Sequence, residues 1–336
     1  MSERPFFYGE SDADPSVLNE QTTAVIGYGN LGSSMAQNLR DSGLEIVVGN
    51  IDDEYRPRAA ADGFTVLDVS AAVSRADIVY LLIPDEEIAG CYQTSIGPAL
   101  GAGAALCFAS GYALAYRQVT PPEAVDVLLL APRMLGEEVR GTYLEGTGFF
   151  SYVSVEQDAT GGAWERALAL AQAAGSLRRG AMRLSAEQEA FLDLLIEQTV
   201  GPYLGTAIQL AFQVGVDAGL PPEAMVLEMY MSGEMARTFQ TFADVGFYRS
   251  VDWHGVIAQY GGFLRTLEID RAAMDEQFRA TGEEIRSGGF SRRLQEEHAA
   301  GYPTLEAIEA ITKSENPITG AEDRVRRALR RVMADG

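Results

Sequence analysis

Cysteine and histidine are both scarce in this chain of 336 residues: Cys91 and Cys107 are the cysteines, His254 and His298 the histidines. Two cysteines without C-x-x-C or mixed Cys/His spacing argue against a structural zinc site and a disulfide-stapled scaffold. Cys91 stands beside Tyr92 and Cys107 between Leu106 and Phe108, so both thiols read as core side chains. Neither histidine has the partners of a nucleophilic triad, and both read as structural or surface residues. Positive charge is short as well, with 26 Lys and Arg against 48 Asp and Glu and a net charge of -22. A surface of that sign repels a phosphate backbone, which disfavours a nucleic-acid partner. No apolar run reaches the roughly 18 residues of a membrane helix. Residues 1–8 show no basic stretch followed by an apolar core, the mark of a secretory signal. The expectation is a cytoplasmic protein without a membrane partner.

What is present is an ordinary globular composition, 47% hydrophobic and 22% charged, at a length that suggests two domains. A β-branched run at 22–26 leads directly into Gly27-Tyr28-Gly29-Asn30-Leu31-Gly32. Leu31, Met35 and Leu39 then recur at helical spacing, Ser42-Gly43 closes the helix, and a second strand follows at 46–48. This is a βαβ unit with glycines at its first strand-to-helix turn. Further strands read at 78–83, 105–109, 127–131 and 152–155, separated by helical segments such as 85–96. Such alternation predicts an α/β fold, an N-terminal Rossmann domain with a doubly wound parallel sheet over 1–183. After Leu184 the β-branched runs vanish and apolar residues recur at three and four. Residues 184–336 therefore read as an all-helical domain, with helices over 186–218, 222–244, 271–287, 291–299 and 321–333.

The glycine loop has a specific physical reading. Gly27 permits the tight turn, Gly29 lets a pyrophosphate approach the backbone, and Gly32 lets helix and strand pack closely. With Tyr28, Asn30 and Leu31 they form the candidate dinucleotide-binding loop, its phosphates at the helix N-terminus. Asn50, Asp52 and Asp53 stand at the end of the second strand, where an adenosine ribose is expected. An acid there accepts a bond from a 2′-hydroxyl and repels a 2′-phosphate, which leans towards NADH; Arg56 and Arg58 would favour NADPH. A solvated acidic loop is the plainer alternative. Asp193 and Glu197, four residues apart, place two carboxylates on one helix face and suit a hard cation such as Mg²⁺. Taken by spacing alone they equally describe an exposed helix face, and Glu228 and Glu234 are as ambiguous. Ser110 and Arg133 each follow a predicted strand, the usual place for functional groups in an open α/β sheet.

Together these segments resemble ketol-acid reductoisomerase in its short, single-repeat form. The resemblance runs through Phe7-Tyr8, Asp12-Ala13-Asp14, residues 24–29 and 38–43, Val47-Val48-Gly49, Ala76-Asp77, Pro84-Asp85-Glu86 and Ala131-Pro132. It continues through residues 157–161, 193–198, 258–261 and 285–288, then Phe290 and Asn316-Pro317-Ile318. It implies Mg²⁺-assisted alkyl migration followed by hydride reduction of a keto acid such as the product of 2-acetolactate rearrangement, in branched-chain amino-acid biosynthesis. It also implies Asp193, Glu197 and Glu228 as metal ligands, and a homodimer in which Glu228 comes from the other subunit. The chain departs from the family pattern at four places. Arg133 replaces a lysine, Ser110 a histidine, Ser232 a fourth acid, and Gly255 a serine expected at the substrate carboxylate. Those departures leave a second expectation open: a relative that reduces a different 2-keto acid or imine without isomerisation, with Arg133, Asp193, Glu197 and Ser110 as catalytic residues in either case.

Overall fold

The computed structural model describes residues 6–334; residues 1–5 of the segment read for a signal, and 335–336, lie outside the described residues. The chain divides into two compact units, 1–193 and 194–336. The division falls inside the helix Ala186–Gln198, whereas the change of composition at 183/184 coincides with the end of the sheet.

The first unit is built on one sheet of nine strands: β1 (Phe7–Tyr8), β2 (Thr22–Ile26), β3 (Glu45–Gly49), β4 (Thr65–Leu67), β5 (Ile78–Leu81), β6 (Ala105–Phe108), β7 (Asp126–Pro132), β8 (Phe150–Gln157) and β9 (Gly180–Arg183). Their order is β1-β9-β8-β7-β6-β5-β2-β3-β4. The run from β4 to β7 is parallel, with Val25 of β2 paired to Val48 and Tyr80 on its two sides. Beyond it β8 is antiparallel to β7, and β1 antiparallel to β9. The expected parallel, doubly wound sheet is thus present from β4 to β7 and carries antiparallel pairings at one end. Between β7 and β8 the chain passes through a helix that stops at Gly146, φ +77°, and re-enters running the other way.

The connecting helices are α1 (Asn30–Asp41), α2 (Tyr55–Ala61), α3 (Val69–Val73), α4 (Asp85–Cys91), α5 (Tyr112–Ala115), α6 (Gly136–Glu145) and α7 (Ala163–Ala174). The helix expected over 85–96 is α4 continued by a wider turn, Tyr92–Ile96. Strand side chains alternate between two buried faces. Val25, Val48, Tyr80, Cys107 and Leu128 pack with Met35, Leu39 and Leu168 on one side, and Ile26, Val79, Leu81, Leu106 and Phe108 with Val73, Ile88 and Ile96 on the other. Burial on both faces explains why these strands read as continuous apolar runs. Cys91 and Cys107 are free thiols.

Helix α8 (Ala186–Gln198) leads into a second unit that is helical throughout: α9 (Val200–Asp217), α10 (Pro222–Val226), α11 (Glu234–Val245), α12 (Val256–Glu268), α13 (Arg271–Arg286), α14 (Gly289–Ala299), α15 (Pro303–Thr312) and α16 (Pro317–Ala334). Two long helices expected from periodicity are each broken. The run over 186–218 stops at Thr199 (φ -119°, ψ -74°), because Pro202 has no N–H to give the carbonyl of Gln198 and its ring crowds that turn. The run over 222–244 opens into a wide turn at Leu227–Met231 and then Gly233, φ +81°. Helices α12 and α15 were not expected. The buried core of this unit is small, Phe212, Val226, Ala321 and Val325. No helix among the described residues is long and apolar enough to cross a membrane.

Candidate active site

The glycine loop lies at the C-terminal end of β2. Gly27 has φ +94°, and a Cβ there would meet the Leu82 carbonyl oxygen at 2.6 Å. A Cβ on Gly32 would fall 2.2 Å from the Gly27 oxygen, whereas one on Gly29 would meet nothing within 4 Å. The turn is closed on the sheet side and open where a phosphate would approach. Helix α1 begins without a side-chain cap, so its first N–H groups keep their capacity to bind an anion. Tyr28 turns inward. Its ring is fully buried against Phe64, its hydroxyl donates to Asp62 at 2.8 Å, and its backbone N–H donates to Asn50 Oδ1 at 3.0 Å. Burial and the Asp62 carboxylate push the phenol far above its ordinary range. The ring is a fixture of the loop, leaving only backbone to meet a ligand.

At the ribose end, buried Asn50 donates to Asp53 Oδ1 at 2.7 Å. The same oxygen accepts the N–H groups of Tyr55 and Arg56 at 2.9 and 3.2 Å, so Asp53 caps the start of α2. Arg56 donates to the Asn50 carbonyl at 2.7 Å and to Asp68 at 3.0 Å. Asp52 and Arg58 are exposed.

Arg133 stands just beyond β7, and its guanidinium is held on four sides. Nε donates to the Pro132 carbonyl at 3.0 Å, one terminal nitrogen to Glu189 at 2.8 Å, and the other to Asp193 Oδ1 at 2.6 Å. The Tyr152 ring lies 5.1 Å from the guanidinium carbon. Glu189 was not singled out in the sequence, yet it is the hub of the site. Its side chain is 1% exposed, and its second oxygen accepts the Gly111 N–H at 2.6 Å, tying α8 to the turn after β6. Burial raises the Glu189 carboxyl above its ordinary range, against the pull of Gly111 and Arg133 and with a push from Asp193 and Asp85. In that turn Ser110 Oγ accepts the Tyr112 N–H at 3.2 Å. A Cβ on Gly111 would meet the Ala186 carbonyl oxygen at 2.0 Å, so helix and turn fit only with glycine there. The Arg133 loop also abuts the cofactor loop, since a Cβ on Gly136 would lie 2.8 Å from the backbone of Asn30 and Leu31.

Glu189, Asp193 and Glu197 therefore form a stripe at four-residue spacing along α8, from a buried end to an exposed one. That spacing was the available signal for Glu189, masked because its neighbours read as core. Asp193 and Glu197 are hard oxygen donors on one face, and that donor chemistry fits Mg²⁺. In the second unit Glu228 is exposed within the wide turn, Ser232 Oγ accepts the Glu234 N–H at 3.3 Å, and Gly255 precedes α12. Among the described residues no three His, Cys, Asp or Glu side chains gather as a metal cluster.

Residues 17–180 match the family model described as acetohydroxy acid isomeroreductase, NADPH-binding domain, and residues 186–331 match ketol-acid reductoisomerase, C-terminal domain. The chain is 34% identical over 332 residues to ketol-acid reductoisomerase (NADP(+)) of Caldivirga maquilingensis, with 98% of each covered. It is also 34% identical over 325 residues to ketol-acid reductoisomerase (NAD(+)) of the uncultured archaeon GZfos26G2, covering 94% of this chain and 97% of that one. Equal identity to an NADP(+)- and an NAD(+)-named relative leaves cofactor choice to the loop itself. Among solved structures, an NADH-preferring ketol-acid reductoisomerase from an uncultured archaeon superposes with a TM-score of 0.89 at 32% identity, covering 96% of this chain and 98% of that one.

Proposed function

This chain belongs to the ketol-acid reductoisomerase family, and from that premise we propose that it rearranges a 2-hydroxy-3-keto acid such as 2-acetolactate and reduces the product. It is an NAD(P)H-dependent oxidoreductase acting on a small molecule, and the reaction belongs to branched-chain amino-acid biosynthesis in the cytoplasm. The observation that carries the reading is the fork of Arg133 onto Glu189 and Asp193 directly beside the cofactor loop. Gly27, Gly29 and Gly32 shape the pyrophosphate cradle, with Asn30 and Leu31 at the helix start and Asn50 bracing the turn. Asp52, exposed at the ribose end, favours NADH, because Asp53 is occupied as a cap and Arg56 is held by Asp68 rather than offered to a 2′-phosphate. Asp193 and Glu197, with Glu228 from a second copy, would hold Mg²⁺, which when bound supplies positive charge to neighbouring hydroxyl and keto oxygens. The guanidinium has five N–H donors, of which three are engaged, so its outer edge retains capacity for a substrate carboxylate. Residues 184–336 carry the dimer interface as well as Glu228.

A second reading is favoured by the chemistry of Arg133 and Ser110. An arginine keeps its proton at any relevant pH, and a serine does not titrate near neutrality, so neither exchanges a proton during alkyl migration as lysine or histidine can. On this reading reduction persists while rearrangement is slow or absent. Turnover of 2-acetolactate and of the already rearranged 3-hydroxy-2-keto acid is measured with the same enzyme, Mg²⁺ and NADH or NADPH. Comparable rates support the full reaction, reduction of only the rearranged acid or of simpler keto acids supports the second reading, and no cofactor oxidation with any of them overturns both.

A further inference from the structure

We propose that Tyr28 staples the ribose-end segment Asn50–Asp62 to the glycine loop, and that Asp62, through it, is a positioning residue for the dinucleotide. The inference rests on the reading of Gly27, Gly29 and Gly32 as the pyrophosphate cradle. Between β3 and β4 the chain leaves the sheet, carries Asp52, Asp53 and α2 outward, and turns back at Asp62. Tyr28 holds both ends of that excursion. Its backbone N–H donates to Asn50 Oδ1 at 3.0 Å where the segment begins, and its hydroxyl donates to Asp62 Oδ2 at 2.8 Å where it closes. The same hydroxyl oxygen accepts from the Gln37 amide of α1. The ring is fully buried, so its hydroxyl needs a partner, and Asp62 reaches in from the surface to supply one.

The far end of the staple is itself held. Arg40, in the last turn of α1, donates to the Asp62 carbonyl at 2.7 Å, and its guanidinium carbon lies 4.6 Å from the centre of the Phe64 ring. Phe64 in turn packs edge-on against Tyr28, with ring centres 5.6 Å apart. Helix α1 thus carries the cradle at its first turn and a brace for Asp62 at its last. Inside the segment, Asn50 donates to Asp53 Oδ1 at 2.7 Å, and that oxygen caps α2, so the grip on Asn50 passes to the ribose end. A dinucleotide spans both subsites, and fixing their separation beforehand spares it the cost of ordering them. A ligand that touches one subsite alone gains nothing from the staple.

The test is fluorescence titration of the full-length enzyme with NADH and NADPH, beside nuclear magnetic resonance titration with adenosine and with inorganic pyrophosphate, each of which touches one subsite. Tyr28→Phe and Asp62→Ala are each expected to weaken the dinucleotide about fivefold, and the double variant no more than either. Asp62→Asn, whose amide oxygen still accepts, is expected to stay near the wild type. Adenosine and pyrophosphate should bind every variant as they bind the wild type. Unchanged dinucleotide affinity in the single variants, additive losses in the double, or fragment affinities that fall in step with the dinucleotide would each overturn the staple. The last is what a merely structural role produces. If Tyr28→Phe does not fold, Asp62→Ala, altered at the surface, decides. Gly29→Ala separates the two readings. If it binds the dinucleotide as the wild type does, the cradle reading falls and takes the inference with it. If it weakens binding while Tyr28→Phe and Asp62→Ala do not, the inference alone falls.

Discussion

Phe108, Phe149, Tyr28 and Tyr80 of the first unit are wholly enclosed, whereas Ile257, Leu267, Val256 and Trp253 of the second are 91%, 84%, 80% and 73% exposed. The first unit closes two cores, one on each face of its sheet, and the second closes a single small one around Phe212 and Val226. Apolar exposure on that scale marks a surface that another surface covers. The first unit closes its cores within one chain, and the proposed homodimer would complete the core of the second. The proposed homodimer would place a second copy of this chain on that surface, and an isologous contact would cover the same patch on both copies.

Breaking that association is the largest effect expected. Ile257→Glu combined with Leu267→Glu should abolish the dimer and with it activity, and light scattering should then report 36.2 kDa, the mass of one chain. A charge at Leu144 of the first unit, 67% exposed and isolated on α6, should change stability by no more than about 0.5 kcal/mol. An active wild-type monomer at working concentration would remove the basis of the comparison.

Next in size are truncations of the two cores. Phe108→Ala empties a fully buried site between sheet and helices and should cost about 3–5 kcal/mol in urea unfolding. Leu267→Ala should cost almost nothing in a dilute monomer and clearly more in the associated protein, so its effect should grow with protein concentration. A concentration-independent cost would mean that Leu267 packs within its own chain.

How much of this was legible in the sequence follows the same divide. In the first unit alternation, glycines and β-branched runs agree, so β2, α1 and β3 read nearly to their ends; the short strands β1, β4 and β9 gave no periodic signal of their own. In the second unit periodicity revealed helices but not their breaks, because Pro202 and Gly233 lie inside otherwise continuous apolar patterns. Helices α12 and α15 were missed for a related reason. Their apolar residues, Val256 and Ile257 or Ile308 and Ile311, face outward in a single chain and do not trace one buried stripe. At the site, Gly27, Gly29 and Gly32 were readable because each role is a local backbone constraint. Glu189 was not, because its partners Gly111 and Arg133 are 78 and 56 residues away.

A smaller and more local effect separates two glycines of the first unit. Gly32→Ala forces a Cβ to within 2.2 Å of the Gly27 oxygen, so it should distort the loop and weaken NAD(P)H binding at least tenfold, roughly 1.4 kcal/mol. It should also lower the melting temperature. Gly29→Ala meets nothing within 4 Å and should leave the melting temperature unchanged while still weakening the cofactor, because its methyl points into the space a pyrophosphate needs. Equal cofactor affinity in wild type and Gly29→Ala, measured by fluorescence titration, would place the phosphates elsewhere.

The smallest effect is the pH dependence of stability, where the units again differ. Glu189 in the first unit has its carboxyl raised above the ordinary 4.5, chiefly by burial, with Asp193 and Asp85 pushing the same way and Gly111 and Arg133 opposing. The folded state therefore holds this proton more tightly than the unfolded one. The stabilisation is full below the ordinary value and is lost as pH rises through the folded value. Glu189→Gln carries no such proton, so its stability relative to wild type should improve as pH climbs through that window. Asp275 in the second unit is the counterpart of opposite sign. Its bond from Arg279 lowers the carboxyl below the ordinary 3.8, so its contribution is present above that value and lost as pH falls through the folded one. That pair lies in open solvent, and such pairs contribute little, so Asp275→Asn should follow wild type at every pH. Chemical denaturation of both variants between pH 4 and 8, a range set by roughly where carboxylates titrate, measures the two trends. If Glu189→Gln instead loses ground as pH rises, attraction to Arg133 outweighs burial at Glu189, and the first unit's interior treats that charge as its surface would.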